Sequence, residues 1–499
     1  MKCPPSLTAL FWGGVSGLGF APYHITPLSL ISFAWLYKSL FTSAHRFRQG
    51  WCFGFGQAFA CLYWVYEPLT IHWPRFAALI PVALLLLPGY IGFYAGITTS
   101  LQRFFPSWGK GPLLFATQWT LAEWGLGHFL TGFPWTLAGY TWNRPFSILQ
   151  VAAYGGIYSL SFLTVLLGAL LGEAWHRRVA GGGRPILAAG LLFSIAYGGG
   201  SWRLSTVTYR QEASPLFMRL VQGNIPQEIK WHPALREQHL KTYLRLSRSS
   251  AGKVPLIVIW PEAALPFLFT EASGLAEFLG RFLEPGQILI TGAIRREKEE
   301  ERNSLLAIEA TGHICALYDK QHLLPFGEYI PFGNFLPIRC VAQGLGLKDS
   351  SPGTEEPYWN LPKGPALIPS ICYEIVFPHD FPFAQHRGTW LLNVSNDAWF
   401  GDSPEPHQHA QIGRFRAIEA GVPLVHVTNT GKTGIFSALG EEIVTLPLFT
   451  MGIKDSVLPP CTQKPPPFSY CGTVPLMLIL GLIALILHCS ARKRETPYP

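Results

Sequence analysis

The chain of 499 residues is too long for one ordinary hydrophobic core, so at least two domains are expected. Hydrophobic residues make up 49% and charged residues only 14%; soluble domains average about 25% charged, and the deficit points to a membrane protein. The formal net charge is +8, yet no dense Lys/Arg run lies outside short loops and the tail, which argues against nucleic acid as a partner.

The first two hundred residues are a series of apolar segments, each near the ~20 residues a helix needs to cross a bilayer. Spans are predicted at 5–22, 26–43, 50–67, 76–99, 111–129, 147–171 and 185–201, with an eighth at 472–489. Lys2, Arg46, Arg48, Arg103, Lys110, Arg177, Arg178, Arg184, Arg492, Lys493 and Arg494 fall on one side of these spans, against Arg75 and Arg144 in the short loops of the other. By the positive-inside rule both termini are cytoplasmic. Seven crossings then carry the large segment from about 202 to 471 outside the cytoplasm. The loop HFLTGFPWTLAGYTWNRP is dense in aromatics, as either an interfacial belt or a surface that shapes lipid entry would be. Glu123, inside the fifth span, is either functional or close enough to a helix end to reach water.

From 216 the composition changes. FMRLVQGNIPQ, LIVIWPEAALPF, QILITGAI, SLLAIEATG, ICALYDK, ALIPSICYE, TWLLNVSNDAWF and PLVHVTNTGKTGIF are short runs rich in Val, Ile and Leu. They alternate with helix-like stretches at 232–249, 272–283 and 406–421, an α/β pattern with mostly buried strands. The expected organisation is a seven-helix membrane domain at 1–201, a catalytic domain at 216–456, and a final membrane helix at 472–489. The nine cysteines are scattered with no CxxC pair, which fits neither a disulfide framework nor a zinc site.

Three of the predicted strands end on residues that can do chemistry. VPLIVIWPE places Glu262 just past a strand, HICALYDK places Lys320 past another, and LIPSICYEIVFPHD presents Cys372 where the chain turns. Together they supply what acyl transfer requires: a carboxylate to take the thiol proton, an ammonium to stabilise an oxyanion, and a thiol to hold the acyl group. Singly each is weak, because a Cys after a strand is usually a small core residue. His407 and His409 in EPHQHAQ stand i,i+2, on different helix faces, so no metal is expected. His379 and His322 are the alternatives for a Cys–His pair, which the Glu–Lys pair makes unnecessary.

WPEAALPF, YDKQHLLPFGEYIPF, and SICYEIVFP followed by NVSNDAWFGD resemble the nitrilase, or carbon–nitrogen hydrolase, superfamily. With VQGNIPQ, LTGFPWTLAGY and the flanking spans, nearly the whole chain resembles the bacterial apolipoprotein N-acyltransferase family. That resemblance implies an αββα sandwich on a bundle of about eight membrane helices, with no cofactor. It implies transfer of a fatty acyl chain from a phospholipid, with phosphatidylethanolamine the expected donor, through a cysteine thioester. The acceptor would be the α-amine of the diacylglyceryl-modified N-terminal cysteine of an apolipoprotein. A bacterial inner membrane with the catalytic domain periplasmic follows, and a monomer is expected. The alternative is a membrane-tethered amidase that releases acid to water.

Carried over residue by residue, the resemblance makes Glu262 the general base, Lys320 the oxyanion lysine and Cys372 the nucleophile. Glu328, in PFGEYIP, supports the site; the Tyr373 amide donates to the oxyanion; Glu374 anchors the loop or the incoming amine. Trp231 and Asn224, in VQGNIPQEIKWH, lie near the mouth. His426 and Lys432 depart from the family's usual pattern and are read as head-group contacts or as solvated. The apolar segment from Leu324 to Leu347 is read as a lid touching the bilayer, with Phe332 and Phe335 meeting substrate.

Overall fold

The computed structural model describes residues 4–71, 73–102, 111–177, 182–210, 215–249, 254–298, 300–331, 349–381 and 390–492. The chain divides into two compact units: Met1–Val207 with Asp402–Gln411 and Pro466–Pro499, and Thr208–Gly401 with Ile412–Pro465.

The first unit is helical. Its helices are α1 (Pro5–Gly17), α2 (Thr26–Ser39), α3 (Arg46–Leu62), α4 (Ile80–Leu101), α5 (Gly111–Leu126), α6 (Ala152–His176) and α7 (Gly183–Thr206), followed by the last helix, Val474–Arg492. Proline in the first turn of α1, α2 and α4 starts them without losing a hydrogen bond. Every predicted span coincides with a helix, but among the described residues only three helical segments are long and apolar enough to cross a membrane: Ala77–Leu101, α6 and α7. Helices α1, α2, α3 and α5 hold 13, 14, 17 and 16 residues, short of the ~20 a straight crossing needs. Leu85 and Leu86 of α4, Leu187, Leu191 and Ile195 of α7, and Leu478 and Leu482 of the last helix are all more than half exposed. Rows of exposed leucine of this kind are a liability in water and suit a hydrocarbon solvent.

Glycine sets the packing inside this unit. A Cβ on Gly13 of α1 would lie 2.0 Å from the Phe53 carbonyl oxygen of α3, and one on Gly56 of α3 would lie 2.2 Å from that of Leu10. Gly50 of α3 and Gly92 of α4 meet the facing backbone in the same way. Among apolar helices, where lipid competes for every leucine, such backbone contact is what holds neighbours together. Trp135, Tyr140 and Trp142 of the aromatic loop are buried, so they form interior packing and not an interfacial belt. Glu123 neither reaches water nor lies idle. It is buried, and its Oε1 accepts from the Ala138 amide at 2.8 Å and the Trp119 indole at 3.0 Å.

The second unit is built on two sheets. The strands are β1 (Phe217–Gln222), β2 (Ile257–Ile259), β3 (Ile288–Glu297), β4 (Glu300–Glu309), β5 (Ile314–Asp319), β6 (Leu367–Ile371), β7 (Trp390–Ser395), β8 (Leu424–Thr428), β9 (Thr433–Phe436), β10 (Glu442–Leu446) and β11 (Gly452–Val457). One sheet runs β11-β1-β2-β3-β4-β5 and the other β10-β9-β8-β7-β6. The β1–β2–β3 and β6–β7–β8 ladders are parallel, and the rest are antiparallel. Met218, Leu220, Ile259 and Ile290 of the first sheet share a dry core with Ile371, Leu392, Val394 and Val427 of the second. Helices α8 (Arg236–Arg248) and α9 (Leu275–Gly280) cover the far face of the first sheet through Leu240, Tyr243, Leu275 and Leu279. Residues 412–420 of α10 (Glu405–Ala420) lie on the second, where a Cβ on Gly413 would come 2.8 Å from Leu424. The layering is α-β-β-α.

Candidate active site

The chemistry-bearing residues come from the ends of β2, β5 and β6. Glu262 sits in the turn after β2, where Ala263 has φ +46°. That turn lies flat on β3 at Gly292, whose added Cβ would meet the Ala263 nitrogen at 2.5 Å and the Glu262 Cα at 2.6 Å. The glycine of QILITGAI is therefore required by close approach, and it fixes where the carboxylate points. Glu262 is buried, and its Oε1 accepts from Asn303 Nδ2 at 2.7 Å.

Lys320 follows β5, with its amide held by the Asn303 carbonyl at 2.8 Å. It is fully buried, and Nζ pairs with Glu328 Oε2 at 2.8 Å. Burial disfavours its charge, but Glu328, then Cys372 and Glu262, outweigh that cost and hold the ammonium well above its ordinary range. Glu328 is itself fixed, accepting from the Leu324 amide at 2.7 Å and from Asn303 at 3.3 Å.

Cys372 ends β6 with φ +52°, a left-handed conformation that costs energy for a residue with a side chain. Glu374 holds the chain in this shape. Its Oε2 accepts from the Ile371 amide at 2.7 Å, and its Oε1 from the Gln321 amide at 2.7 Å, the His322 amide at 3.1 Å and the Tyr318 hydroxyl at 2.8 Å. One carboxylate thus ties the cysteine turn to the residues just after Lys320. Asn393 donates to the Cys372 carbonyl at 3.2 Å. Burial pushes the Cys372 thiol well up, the Glu262 carboxylate adds to this, and Lys320 opposes it. Of the carboxylates that act on the sulfur, Glu262 does so most strongly.

Residues 12–170 match the family model of the apolipoprotein N-acyltransferase N-terminal domain, and residues 218–456 match that of the carbon–nitrogen hydrolases. An apolipoprotein N-acyltransferase of Rhodopseudomonas palustris is 32% identical over 522 residues, covering 98% of this chain and 95% of that one. One from Bradyrhizobium diazoefficiens is 34% identical with the same coverage of each. The chain belongs to the apolipoprotein N-acyltransferase family. Among solved structures, a carbon–nitrogen hydrolase superfamily protein of Xanthomonas campestris covers 53% of this chain and 97% of its own, at 19% identity and a TM-score of 0.37.

The residues expected at the mouth divide. Trp231 is 36% exposed at the end of the one-turn helix Gln227–Lys230. Asn224, at φ +50°, uses its side-chain amide on the Phe449 carbonyl at 2.9 Å and so shapes the loop. Phe332, Phe335 and most of the expected lid lie outside the described residues. His322 stacks on Phe377 at 3.7 Å and pairs with Asp380, to which His379 also turns. His426, read as solvated or on a head group, is fully buried in β8, and Lys432 is paired with Glu442. Asn303 and Lys230 escaped sequence reading. The signal for Asn303 was a polar residue opening the otherwise apolar run of β4, and for Lys230 it was a lysine beside the tryptophan of EIKWH.

Proposed function

We propose that this protein moves a fatty acyl chain from a phospholipid to the α-amine of the S-diacylglyceryl-cysteine that begins an apolipoprotein. The observation that carries the reading is a cysteine held at positive φ and electrostatically coupled to a buried carboxylate and a buried ammonium, in a chain of this family. Glu262 takes the Cys372 proton, and the thiolate attacks the ester carbonyl of the donor. Lys320 and the Tyr373 amide stabilise the resulting oxyanion. The intermediate collapses as Glu262 returns the proton to the departing lysophospholipid oxygen, leaving a Cys372 thioester. The acceptor amine then attacks, Glu262 takes its proton, and the thiolate leaves and is reprotonated. Glu328 holds Lys320 charged, and Glu374 holds the cysteine turn.

The wider reading has eight crossings at 5–22, 26–43, 50–67, 76–99, 111–129, 147–171, 185–201 and 472–489, with both termini cytoplasmic and residues 216–456 in the periplasm. Domain limits of 1–201, 216–456 and 472–489 belong to the same reading. Phosphatidylethanolamine is the proposed donor, a monomer the proposed state, and Trp231, Asn224, Phe332 and Phe335 the proposed substrate contacts. It is supported by the asymmetry of Lys and Arg among the loops and by the exposed apolar helices.

Mass spectrometry of the Cys372 peptide after incubation of the detergent-purified protein with phosphatidylethanolamine tests it. The expected result is a fatty acyl adduct on Cys372 that disappears when a diacylglyceryl-cysteine peptide with a free amine is added. Decay at the same rate without amine would make the protein a hydrolase. No adduct on a cysteine that iodoacetamide still alkylates would remove phospholipid as the donor.

A further inference from the structure

Lys230 closes the one-turn helix that precedes Trp231, and its side chain is 2% exposed. Nζ donates to the main-chain carbonyl of Glu262 at 3.3 Å. Among the described residues, no carboxylate oxygen lies within 4.0 Å of it. The other lysine of the site is already paired, since Lys320 has Glu328 at 2.8 Å. The Glu262 carboxylate, in turn, has among the described residues only the neutral Asn303 amide, at 2.7 Å. Two buried and opposite charges, on Glu262 and Lys230, therefore stand side by side without forming an ion pair. An unpaired buried cation is costly, and it is kept where an anion has to be held.

The pairing of the other charges identifies that anion. Lys320 is paired with Glu328, and Glu374 is taken up by the Ile371, Gln321 and His322 amides and the Tyr318 hydroxyl. The carboxylate that acts on the Lys230 ammonium is therefore that of Glu262. When the Cys372 proton moves to Glu262, the negative charge passes from the carboxylate to the sulfur. Lys230 is coupled to both ends of that transfer, to Glu262 first and to Cys372 second. We propose that Lys230 is a positioning residue of the site, its ammonium buried against the Glu262 carbonyl as the counter-charge for the single negative charge that Glu262 and Cys372 exchange. It keeps its own proton throughout, and no bond to it is made or broken. The inference rests on the reading of Cys372 as nucleophile and Glu262 as base.

The groups facing Lys230 are Glu262 in the turn after β2, Cys372 at the end of β6, and His239 of α8. The His239 Nδ1 lies 3.2 Å from the Lys230 carbonyl oxygen, and its imidazole is held below its ordinary range by burial. Asp397 is a further carboxylate that, like Glu262, raises the Cys372 thiol. Burial lowers the Lys230 ammonium to about 8, against the pull of Glu262 and Cys372. Its help to the thiolate is therefore present at neutral pH and fades as pH rises through about 8.

The test is the rate of Cys372 alkylation by iodoacetamide against pH, on the full chain in detergent, without donor lipid. Lys230→Gln keeps a donor for the Glu262 carbonyl and removes the charge. It is expected to move the alkylation midpoint up by about one pH unit, or about tenfold in rate at neutral pH. Lys230→Arg keeps a charge that is not lost at high pH, and is expected to hold the midpoint at or below that of the wild type. A Lys230→Gln profile superimposable on wild type overturns the proposal. Should that variant fail to fold, a Lys230→Arg midpoint above wild type overturns it instead. Glu262→Gln separates the two readings. If it leaves alkylation untouched while Lys230→Gln shifts it, Glu262 is not the base and Lys230 still acts on the sulfur.

Discussion

In the first unit helices meet through glycine and bare backbone, whereas in the second the strand ends converge on ionised side chains. Gly13, Gly50, Gly56 and Gly92 bring α1, α3 and α4 so close that a methyl group would overlap the neighbouring main chain. Several polar side chains inside that unit serve backbone and indole groups. Gln408 shows the pattern: its Oε1 accepts from the Trp64 indole at 3.1 Å and the Trp135 indole at 2.7 Å, while its Nε2 donates to the Cys61 carbonyl at 3.1 Å. The second unit buries Glu262, Lys320 and Glu374 within a few residues of three strand ends, and Lys230 on the one-turn helix that follows β1. A chain with so few charged residues spends several of them where solvation is most expensive. That is the mark of chemistry rather than of packing.

The largest effect is expected from breaking the pair that makes this burial tolerable. Glu328→Gln keeps an acceptor for the Leu324 amide but removes the charge facing Lys320. Removing one partner of a buried pair costs about 3 kcal/mol or more. A Lys320 no longer held charged should also slow acyl-enzyme formation by about two orders of magnitude. Denaturant unfolding and the rate of adduct appearance on Cys372 measure the two. A variant as stable as wild type would mean that the second unit does not depend on its buried charges, and the contrast with the first would fail.

An intermediate effect is expected in the first unit. Gly13→Leu would drive a side chain into the Phe53 carbonyl, which lies 2.0 Å from the position of a Cβ. Overpacking of this kind costs about 1–3 kcal/mol. Thermal unfolding in detergent should show the loss, while Cys372 alkylation at a temperature where the variant remains folded keeps its wild-type rate. Full tolerance of leucine would show that α1 and α3 do not depend on close backbone contact.

These two regions also differ in how much of them could be read from the chain. Strand ends were legible because apolar runs stop at chemistry: β2 before Pro261–Glu262, β5 before Lys320, β6 before Cys372. The strands β10 and β11 were not, because EEIVTL and GIKDSV are polar, part-exposed and short, with little to separate them from loop. Hydropathy found a helix at each apolar segment. It made α1, α2, α3 and α5 too long, as where the glycine-rich end GGVSGLGF continues the apolar signal after α1 has stopped at Gly17. It made α7 too short, because Tyr197, Trp202 and Arg203 interrupt that signal before the helix ends at Thr206. Asn303 and Lys230 stayed hidden for a different reason. Each is a single polar residue whose meaning depends on a partner tens of residues away, and no local pattern marks it.

The smallest effect is expected at Glu123, where the two regions can be compared most directly, since this is a buried carboxylate lying in the helical unit. Its Oε1 accepts from the Ala138 amide and the Trp119 indole, and a glutamine carbonyl in the same rotamer can accept both. Glu123→Gln should therefore unfold within about 0.5 kcal/mol of wild type and acylate at the wild-type rate. Glu123→Ala leaves a buried amide and an indole without an acceptor and should lose about 1–3 kcal/mol. If glutamine preserves stability but abolishes transfer, the charge of Glu123 does chemistry. The first unit would then share the property that sets the second apart. If both variants lose stability in proportion and keep activity per folded molecule, Glu123 is an anchor for the Ala138 turn, and the buried charges that act on substrate belong to the strand ends.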